Sequence, residues 1–582
     1  MATNHPTEDA IIIGIDFGTT YSGVALAYSR EPNDIAIVTS WEAELNHCSD
    51  KEKAPTQLLY DSNNDTTWGY SIPADEDALK WFKLLLLKRG DIPADVATSE
   101  QLSNARHLQE ATGKQPVETI ACFLRKLWKH GIESIKRSIG TELLNKSKFH
   151  VVITFPAIWP PYAQRHMKKA AGLSGILDAR SCGATTIRFV SEPEAAALAT
   201  IQDLSKRSTI KPDDTIIVCD AGGGTVDLIS YKIQSTEPFV VKECVKGDGA
   251  LCGGVFLDEN FLNLIKSKVP RGAWDQVSKA AEKRFLNDGW EHGIKPQFAN
   301  QQRTWLVDLP DACNDAPRKV KRRRAFELTS DEILSVFSPI VDKIVSLVRR
   351  QYDAIERKYS QHPKHIILVG GFGRCRYLFD RLQTEFDSSV LQAQGSKPWT
   401  AICRGAVVHE LSKQNLSVDI GVRVEARIAR MSYGVTNSSV FDDFKHLQTD
   451  KYWSKKEQRY KAMNQMTWFL KEGDDITNKR PVRHSFYQLY SEPVGSVKND
   501  IHCSASYPVP SRNDHTVERL CTIRWNKHAS LGSLPLYTNP IGDAYHELNY
   551  TVEMTCEDGT VDFAVYHDGQ RVGAQNVEVE FD

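Results

Sequence analysis

Up to about residue 410, short apolar runs alternate with amphipathic stretches. Ile11–Ile15, Val151–Phe155, Ile216–Cys219 and Ile366–Val369 are β-branched and nearly free of polar residues. That texture predicts strands buried on both faces. Thr119–Ser138 and Asp331–Tyr359 carry apolar residues at helical spacing and predict long helices between them. Strands alternating with helices indicate an α/β body. After Gly405–Glu410 the period changes. Val422, Val424, Ala426 and Ile428 alternate with Arg423, Glu425 and Arg427, a period of two with one wet face. Asp558-Gly559 and Asp568-Gly569 are hairpin signals flanked by Val552–Cys556, Val561–Tyr566 and Val577–Phe581. The tail from 422 to 582 is therefore expected to be an antiparallel sheet or sandwich, joined through a linker at 411–421. The polar segment Asn437–Lys461 is expected to be a long loop.

The α/β body contains an internal repeat. Ile12-Ile13-Gly14-Ile15-Asp16-Phe17-Gly18-Thr19-Thr20 leads into Ser22–Ala27, and Ile216-Ile217-Val218-Cys219-Asp220-Ala221-Gly222-Gly223-Gly224-Thr225 leads into Val226–Tyr231. Each copy is a buried strand ending in Asp, a Gly-rich turn with Thr, and a second strand. The two Asp residues lie 204 positions apart, the length of one lobe of a duplicated domain. Glycines let backbone N–H groups approach phosphate oxygens, and Thr hydroxyls add donors. An Asp at a strand end suits hydrated Mg²⁺, which keeps several waters and takes one or two carboxylates. Two such hairpins facing each other would clasp a polyphosphate and act by positioning and charge neutralisation. Other phosphate motifs are missing. There is no G-x-x-x-x-G-K-[ST], and Gly371-Phe372-Gly373 has Arg376 where a dinucleotide fingerprint needs glycine.

Ile11–Ala27 and Ile216–Tyr231 resemble the two phosphate motifs of the actin-like ATPase superfamily. Ile366–Arg374 resembles its adenosine motif. Within that superfamily, Val151–Ala157, Ser191–Ala197 and Ile402–Val408 around Gly405 are similar to the heat-shock protein 70 chaperones. Ile158-Trp159 and Trp468–Gly473 resemble their divergent member-12 branch. The motifs stand in the family's order across residues 11–410. The fold so implied is a two-lobed actin-like ATPase with a duplicated ribonuclease-H-like core, lobe I over 1–205 and lobe II over 206–410, followed by a β-sandwich-like domain over 422–582.

The resemblance also implies roles. Asp16 and Asp220 would hold Mg²⁺. Gly18, Thr19, Thr20, Tyr21 and Gly222, Gly223, Gly224, Thr225 would line the phosphates of ATP or ADP, with Gly253 and Gly254 beside them. Asp227 would support the attacking water. Pro156, Arg165 and Glu192 would form the hinge that relays nucleotide state. Gly370, Gly371, Phe372 and Arg374 would touch adenosine, with Phe372 replacing a small polar residue. Glu291 and Lys295 would clamp ribose and base, on a helix that departs from the family pattern. Lys83 would contact phosphate; a lysine on an amphipathic helix can equally snorkel at the surface. The family follows its ATPase with an acidic leucine-rich linker, a peptide-gripping sandwich and a helical lid. Leu411–Gly421 lacks the leucine run, the sheet-like pattern continues to Phe581, and neither lid nor acidic terminal tetrapeptide is expected.

Composition narrows the classes. Lys plus Arg is 72 against 74 Asp plus Glu, a net charge of −2, which gives no electrostatic reason to expect nucleic acid or an anionic membrane. The 12 cysteines include no C-x-x-C pair, so neither a zinc ribbon nor a redox couple is expected. Met1–Ala10 is polar and acidic and reads as no secretion signal, and no apolar run is long enough to span a bilayer. The expected setting is cytoplasmic. The run Arg318, Lys319, Lys321, Arg322, Arg323, Arg324 reads either as a nuclear import signal or as a solvated loop. Three functions fit: a slowly hydrolysing ATPase switch coupled to a domain that binds client protein or peptide, with co-chaperones open; a sugar or polyol kinase of the same superfamily; and a nucleotide-bound scaffold that does not hydrolyse.

Overall fold

The apolar run at Ile11–Ile15 forms the centre of β1 (Ala10–Phe17), every residue of which is buried. The chain turns back at once as β2 (Tyr21–Tyr28) and continues as β3 (Glu31–Ile37). β4 (Lys148–Phe155) and β5 (Thr186–Ser191) complete a sheet ordered β3-β2-β1-β4-β5, antiparallel on the β3 side and parallel from β1 onward. Five strands of the second sheet repeat this order and these directions. β6 (Thr215–Ala221), β7 (Val226–Thr236), β8 (Phe239–Ala250), β9 (His365–Val369) and β10 (Ser389–Gln392) are ordered β8-β7-β6-β9-β10 with the same directions. The computed structural model that shows this describes residues 9–43, 50–61, 63, 65–157, 159–205, 210–313, 326–414, 422–477, 481–529, 533–557, 560–572 and 578–580. The chain divides into two compact units, Met1–Val424 and Glu425–Asp582.

Six helices matter in the first unit: α1 (Pro116–Ile139), α2 (Pro161–Leu173), α3 (Glu192–Ser205), α4 (Val255–Lys268), α5 (Ser330–Tyr359) and α6 (Lys397–Lys413). The two long ones fall where the apolar spacing places them. α1 opens with Pro116, and Glu118 accepts the Gln115 N–H at 2.8 Å. α5 has a complete capping box: Thr329 Oγ1 accepts from the Glu332 N–H at 3.2 Å, and Glu332 accepts from the Thr329 N–H at 2.9 Å. Ser360, at φ 54°, ends it in the left-handed region. α1 covers the first sheet and α5 the second, each closing a core of its own.

A third core lies between the sheets and is built on α3 and α6. The helices cross where both sequences turn small. A Cβ on Gly405 would fall 1.6 Å from the Ala195 carbonyl oxygen. α6 also lies on β1, where a Cβ on Gly14 would fall 2.3 Å from the Cys403 oxygen. α6 runs through Leu411–Lys413, so the start of the expected linker is helical. Residues 415–421 lie outside the described residues, as do the basic run at 318–324, Ile158 and Asp558-Gly559.

The second unit consists of antiparallel strands. One sheet is ordered Lys451–Ser454, Arg459–Leu470, Ser432–Val440, Val494–Ser504, Glu518–Ala529, Glu578–Glu580. A second contains Val482–Tyr490, Ala544–Glu557, Thr560–His567 and Gln570–Arg571, with Leu536–Thr538 on Ala544–Glu557. Val497, Ile501, Ile523 and Trp525 of the first share one core with Leu548, Val552 and Val565 of the second. Two expectations are corrected. Asn437–Lys461 is a loop only over 441–450; the rest is a strand end and the Lys451–Ser454 to Arg459–Leu470 hairpin. Its polarity misleads because ion pairs on buried carboxylates hold it: Glu457 with Arg459 and Lys461, and Asp450 with Arg512 at 2.9 Å. The last strand pairs with Glu518–Ala529 of the other sheet and not with the neighbouring Thr560–His567 hairpin.

Candidate nucleotide site

The two Asp-Gly-Thr turns meet. β1 and β2 pair so that Asp16 lies opposite Gly23, and β6 and β7 pair so that Asp220 lies opposite Asp227. The turns at their ends pack against each other. A Cβ on Gly223 would fall 2.0 Å from Thr20 Oγ1, and one on Gly224 3.1 Å from Thr19 Cβ. Only glycine allows the approach at 223. The second turn is stitched to the start of α4. Gly253 N donates to Gly224 O (3.1 Å), Gly254 N to Gly222 O (3.1 Å) and Val255 N to Gly223 O (2.9 Å). Gly18, Thr19, Thr20, Gly222–Thr225, Gly253 and Gly254 thus form one backbone-lined surface.

Four carboxylates lie buried beneath it: Asp16, Glu192, Asp220 and Asp227. Burial raises Asp220 far above the usual carboxylate range, reinforced by Glu192, Asp227 and Asp16. Burial pushes Asp227 up to about 7, with the Glu192 charge adding to it; the Thr225 side chain, the Lys83 charge and the Ala157 backbone pull the other way. Burial also raises Glu192, opposed by Lys83. The snorkelling alternative for Lys83 is excluded. Its side chain is 1% exposed, its Nζ lies 2.6 Å from Glu192 Oε1, and it donates to Phe17 O at 2.6 Å. The lysine stands on a 3-10 turn, Phe82–Leu86, entered through Trp81 at φ 58°. That left-handed residue turns the chain inward.

Asp220 Oδ1 and both Asp227 oxygens are buried without a protein hydrogen bond of normal geometry. Buried carboxylate oxygens of this kind need a cation or a donor. Oxygen-only chemistry of this sort fits hydrated Mg²⁺, with Asp220 the residue placed to hold it. Asp16 is already paired: Lys53 Nζ lies 2.5 Å from its Oδ2.

The nucleoside side is built beside the second turn. Gly370 takes φ 86°, and a Cβ there would fall 2.5 Å from Asp220 Oδ1. Gly371 faces the Trp399 ring, which a Cβ would meet at 2.6 Å, and Trp399 lies 5.3 Å from the Tyr21 ring. Phe372 is buried and approaches Gly254, and Lys295 Nζ lies near the same glycine. Lys295 donates to Asp258 Oδ1 at 2.8 Å and Glu291 Oε2 at 2.7 Å, and the Trp290 indole donates to Asp258 at 2.7 Å. Burial raises Tyr21 to about 12, and the Glu291 charge adds to it. Glu291 stands on a π-helical segment, Leu286–Ile294, so the irregular helix still brings Glu291 and Lys295 to Gly254. Arg374 is exposed at the end of the Gly370–Arg374 turn. Pro156 follows β4 directly and is buried, Arg165 is half-buried on α2, and Glu192 opens α3.

Three residues escaped the sequence reading: Lys53, Asp258 and Trp399. None belongs to a local motif. Lys53 and Trp399 reach the site from separate segments, while Asp258 stands in the first turn of α4, directly after Gly253 and Gly254.

Residues 96–414 match the family described as "Hsp70 protein", and residues 427–558 match a "Domain of unknown function (DUF8568)". Heat shock 70 kDa protein 12A of Mus musculus is 23% identical over 529 residues, covering 75% of this chain and 73% of that protein. Heat shock 70 kDa protein 12B of Homo sapiens is 24% identical over 473 residues, covering 66% of each. Chaperone protein DnaK of Thermoplasma volcanium is 25% identical over 467 residues, covering 75% of this chain and 67% of that protein. With more than half of its length matched and its paired phosphate turns in contact, the chain belongs to the Hsp70 family as a divergent member, with that family's actin-like ATP-binding fold.

Proposed function

We propose that the chain is a Mg²⁺-dependent ATP switch that hydrolyses slowly and passes its nucleotide state to a β-rich unit that binds protein or peptide. The observation that carries this reading is the contact of Thr19 and Thr20 with Gly223 and Gly224 above a buried acidic cluster. Backbone N–H groups of both turns and the Thr19, Thr20 and Thr225 hydroxyls bind and orient the polyphosphate. Asp220, with Asp16 nearby, would hold Mg²⁺, which would supply positive charge against the phosphates. Asp227 titrates near neutrality, so its carboxylate can take the proton of an attacking water. Lys83 fixes Glu192, and through Pro156, Glu192 and Arg165 the lobe angle follows the nucleotide. The second unit then serves as a sandwich-like binding domain, and the protein works in the cytoplasm.

Single-turnover hydrolysis of ATP with Mg²⁺ and no acceptor tests this. Stoichiometric phosphate release is expected, with most of it lost in Asp220→Asn while the variant still folds. Near-normal turnover in that variant refutes the site assignment. ATP recovered intact from the wild type refutes the switch.

A further inference from the structure

Lys53 stands where no family motif placed a cation. It precedes a two-residue strand, Ala54–Pro55, that pairs with Tyr21 and Ser22 of β2. Thr56 N donates to Thr20 O at 2.8 Å, and the Thr56 and Ser22 hydroxyls lie 2.8 Å apart. Tyr70 holds the Lys53 carbonyl at 3.2 Å. The segment is thereby fixed to the first phosphate hairpin. Gly23 makes room for the lysine stem: a Cβ there would fall 2.9 Å from Lys53 Cγ. Because Gly23 lies opposite Asp16, the stem crossing it delivers Nζ to the Asp16 carboxylate. The ammonium also lies 5.3 Å from the Trp399 ring centroid. Lys53 is only 8% exposed, so this is a buried ion pair and not a surface contact.

The charge count gives the pair its meaning. Lys83 answers Glu192 and Lys53 answers Asp16, leaving Asp220 and Asp227 for an incoming cation. An ammonium carries three donors, and Asp16 takes one, which leaves two for a phosphate oxygen. We propose that Lys53 is a resident counter-ion of the phosphate pocket: it holds Asp16 in the role a divalent cation would otherwise fill and donates to the polyphosphate, so that nucleotide binding depends only weakly on Mg²⁺. The inference rests on the nucleotide reading above and adds to it. Hydrolysis can still require the metal at Asp220 while binding does not.

The test is calorimetric titration of ATP into the full chain, once with Mg²⁺ and once with EDTA, for wild type, Lys53→Met and Gly23→Ala. Gly23→Ala keeps the lysine but displaces its stem. The quantity read is the ratio of the Kd in EDTA to the Kd in Mg²⁺. Both variants are expected to show a ratio at least about tenfold larger than wild type, one decade of affinity at the site. Mg²⁺ alone, without nucleotide, should raise the melting temperature of Lys53→Met, whose Asp16 has lost its partner, by more than it raises that of wild type. Ratios that stay together in all three proteins overturn the role of Lys53 and leave the nucleotide reading standing. Failure of wild type to bind ATP even with Mg²⁺ overturns both.

Discussion

The Lys83–Glu192 pair offers the sharpest test of the buried cluster. Lys83→Met removes the cation and keeps most of the volume. It leaves Glu192 with a side chain 6% exposed and no partner at 2.6 Å. Removing one member of a buried pair costs about 3–5 kcal/mol. Here the cost has a ceiling, because Glu192 can take up a proton instead. Protonating a carboxyl of ordinary pKa ~4.3 at pH 7 costs about 3.7 kcal/mol, at ~1.36 kcal/mol per unit, and at pH 5 only about 1 kcal/mol. The variant's deficit should therefore grow as pH rises from 5 to 7. The sign follows from a folded carboxyl whose pKa is raised: protonation stabilises the fold at low pH, and that stability is lost as pH rises. At ~2.1 cal/mol/K per residue, the Met1–Val424 unit has an unfolding entropy near 0.9 kcal/mol/K, so the loss at pH 7 is about 4 °C and at pH 5 about 1 °C. Scanning calorimetry reads it, with the transition of the first unit identified by its shift with ATP. Adding Glu192→Leu should restore much of the loss, a coupling well above ~0.5 kcal/mol. A deficit independent of pH, or additive single and double variants, would refute the paired-cluster reasoning.

Other outcomes follow from the same geometry. Gly405→Ala puts a methyl 1.6 Å from the Ala195 oxygen, so α3 and α6 must part by roughly 1.5 Å at a cost of at least about 1–3 kcal/mol; an unchanged melting temperature would contradict the contact. Asp220→Asn should abolish most phosphate release in single-turnover assays while circular dichroism stays native. Burial lowers His130, which stacks on Trp41 at 4.6 Å, as well as His166 and His365. They contribute stability above their ordinary value of 6.5, which is lost as pH falls through their depressed folded values. Compared with His130→Phe, the ATP-free wild type should therefore lose melting temperature as pH falls from about 6.5 to 5, a difference in which the opposing contribution of the raised carboxyls, common to both proteins, cancels.

What the sequence made legible was local. β1, β4, β6 and β9 are short, β-branched and buried on both faces, so their pattern needs no partner to be read. The Asp-Gly-Thr turns announce themselves because glycine and a strand-end carboxylate have few other uses together. Lys53, Asp258 and Trp399 were illegible for the converse reason. Lys53 and Trp399 become chemical only when a distant segment is folded against a hairpin, and Asp258 only when Lys295 and Trp290 are brought to it; a lone lysine before Ala-Pro looks like any surface lysine. The Asn437–Lys461 hairpin was misread because hydrophobicity is a poor guide where a strand pair is held by ions. Lys461 is buried yet charged, satisfied by Glu457.

The placement of α3 and α6 explains how one ligand could govern a lobe angle. The two sheets have separate cores, but α3 begins at Glu192, inside the acidic cluster, and α6 lies on β1 beside Asp16. Each helix therefore has one contact in the nucleotide site and another at the Gly405–Ala195 crossing. A crossing with no side chain between two backbones can slide or pivot but cannot compress, because the atoms already touch. A change in charge at Lys83–Glu192 or Lys53–Asp16 thus has little room to relax locally and is better relieved by rotating one helix on the other. That places the mechanical element between the two sheets and predicts that Gly405→Ala alters the ATP-induced change even at positions where ATP binding itself survives, measurable as lost hydrogen-exchange protection along α3 and α6.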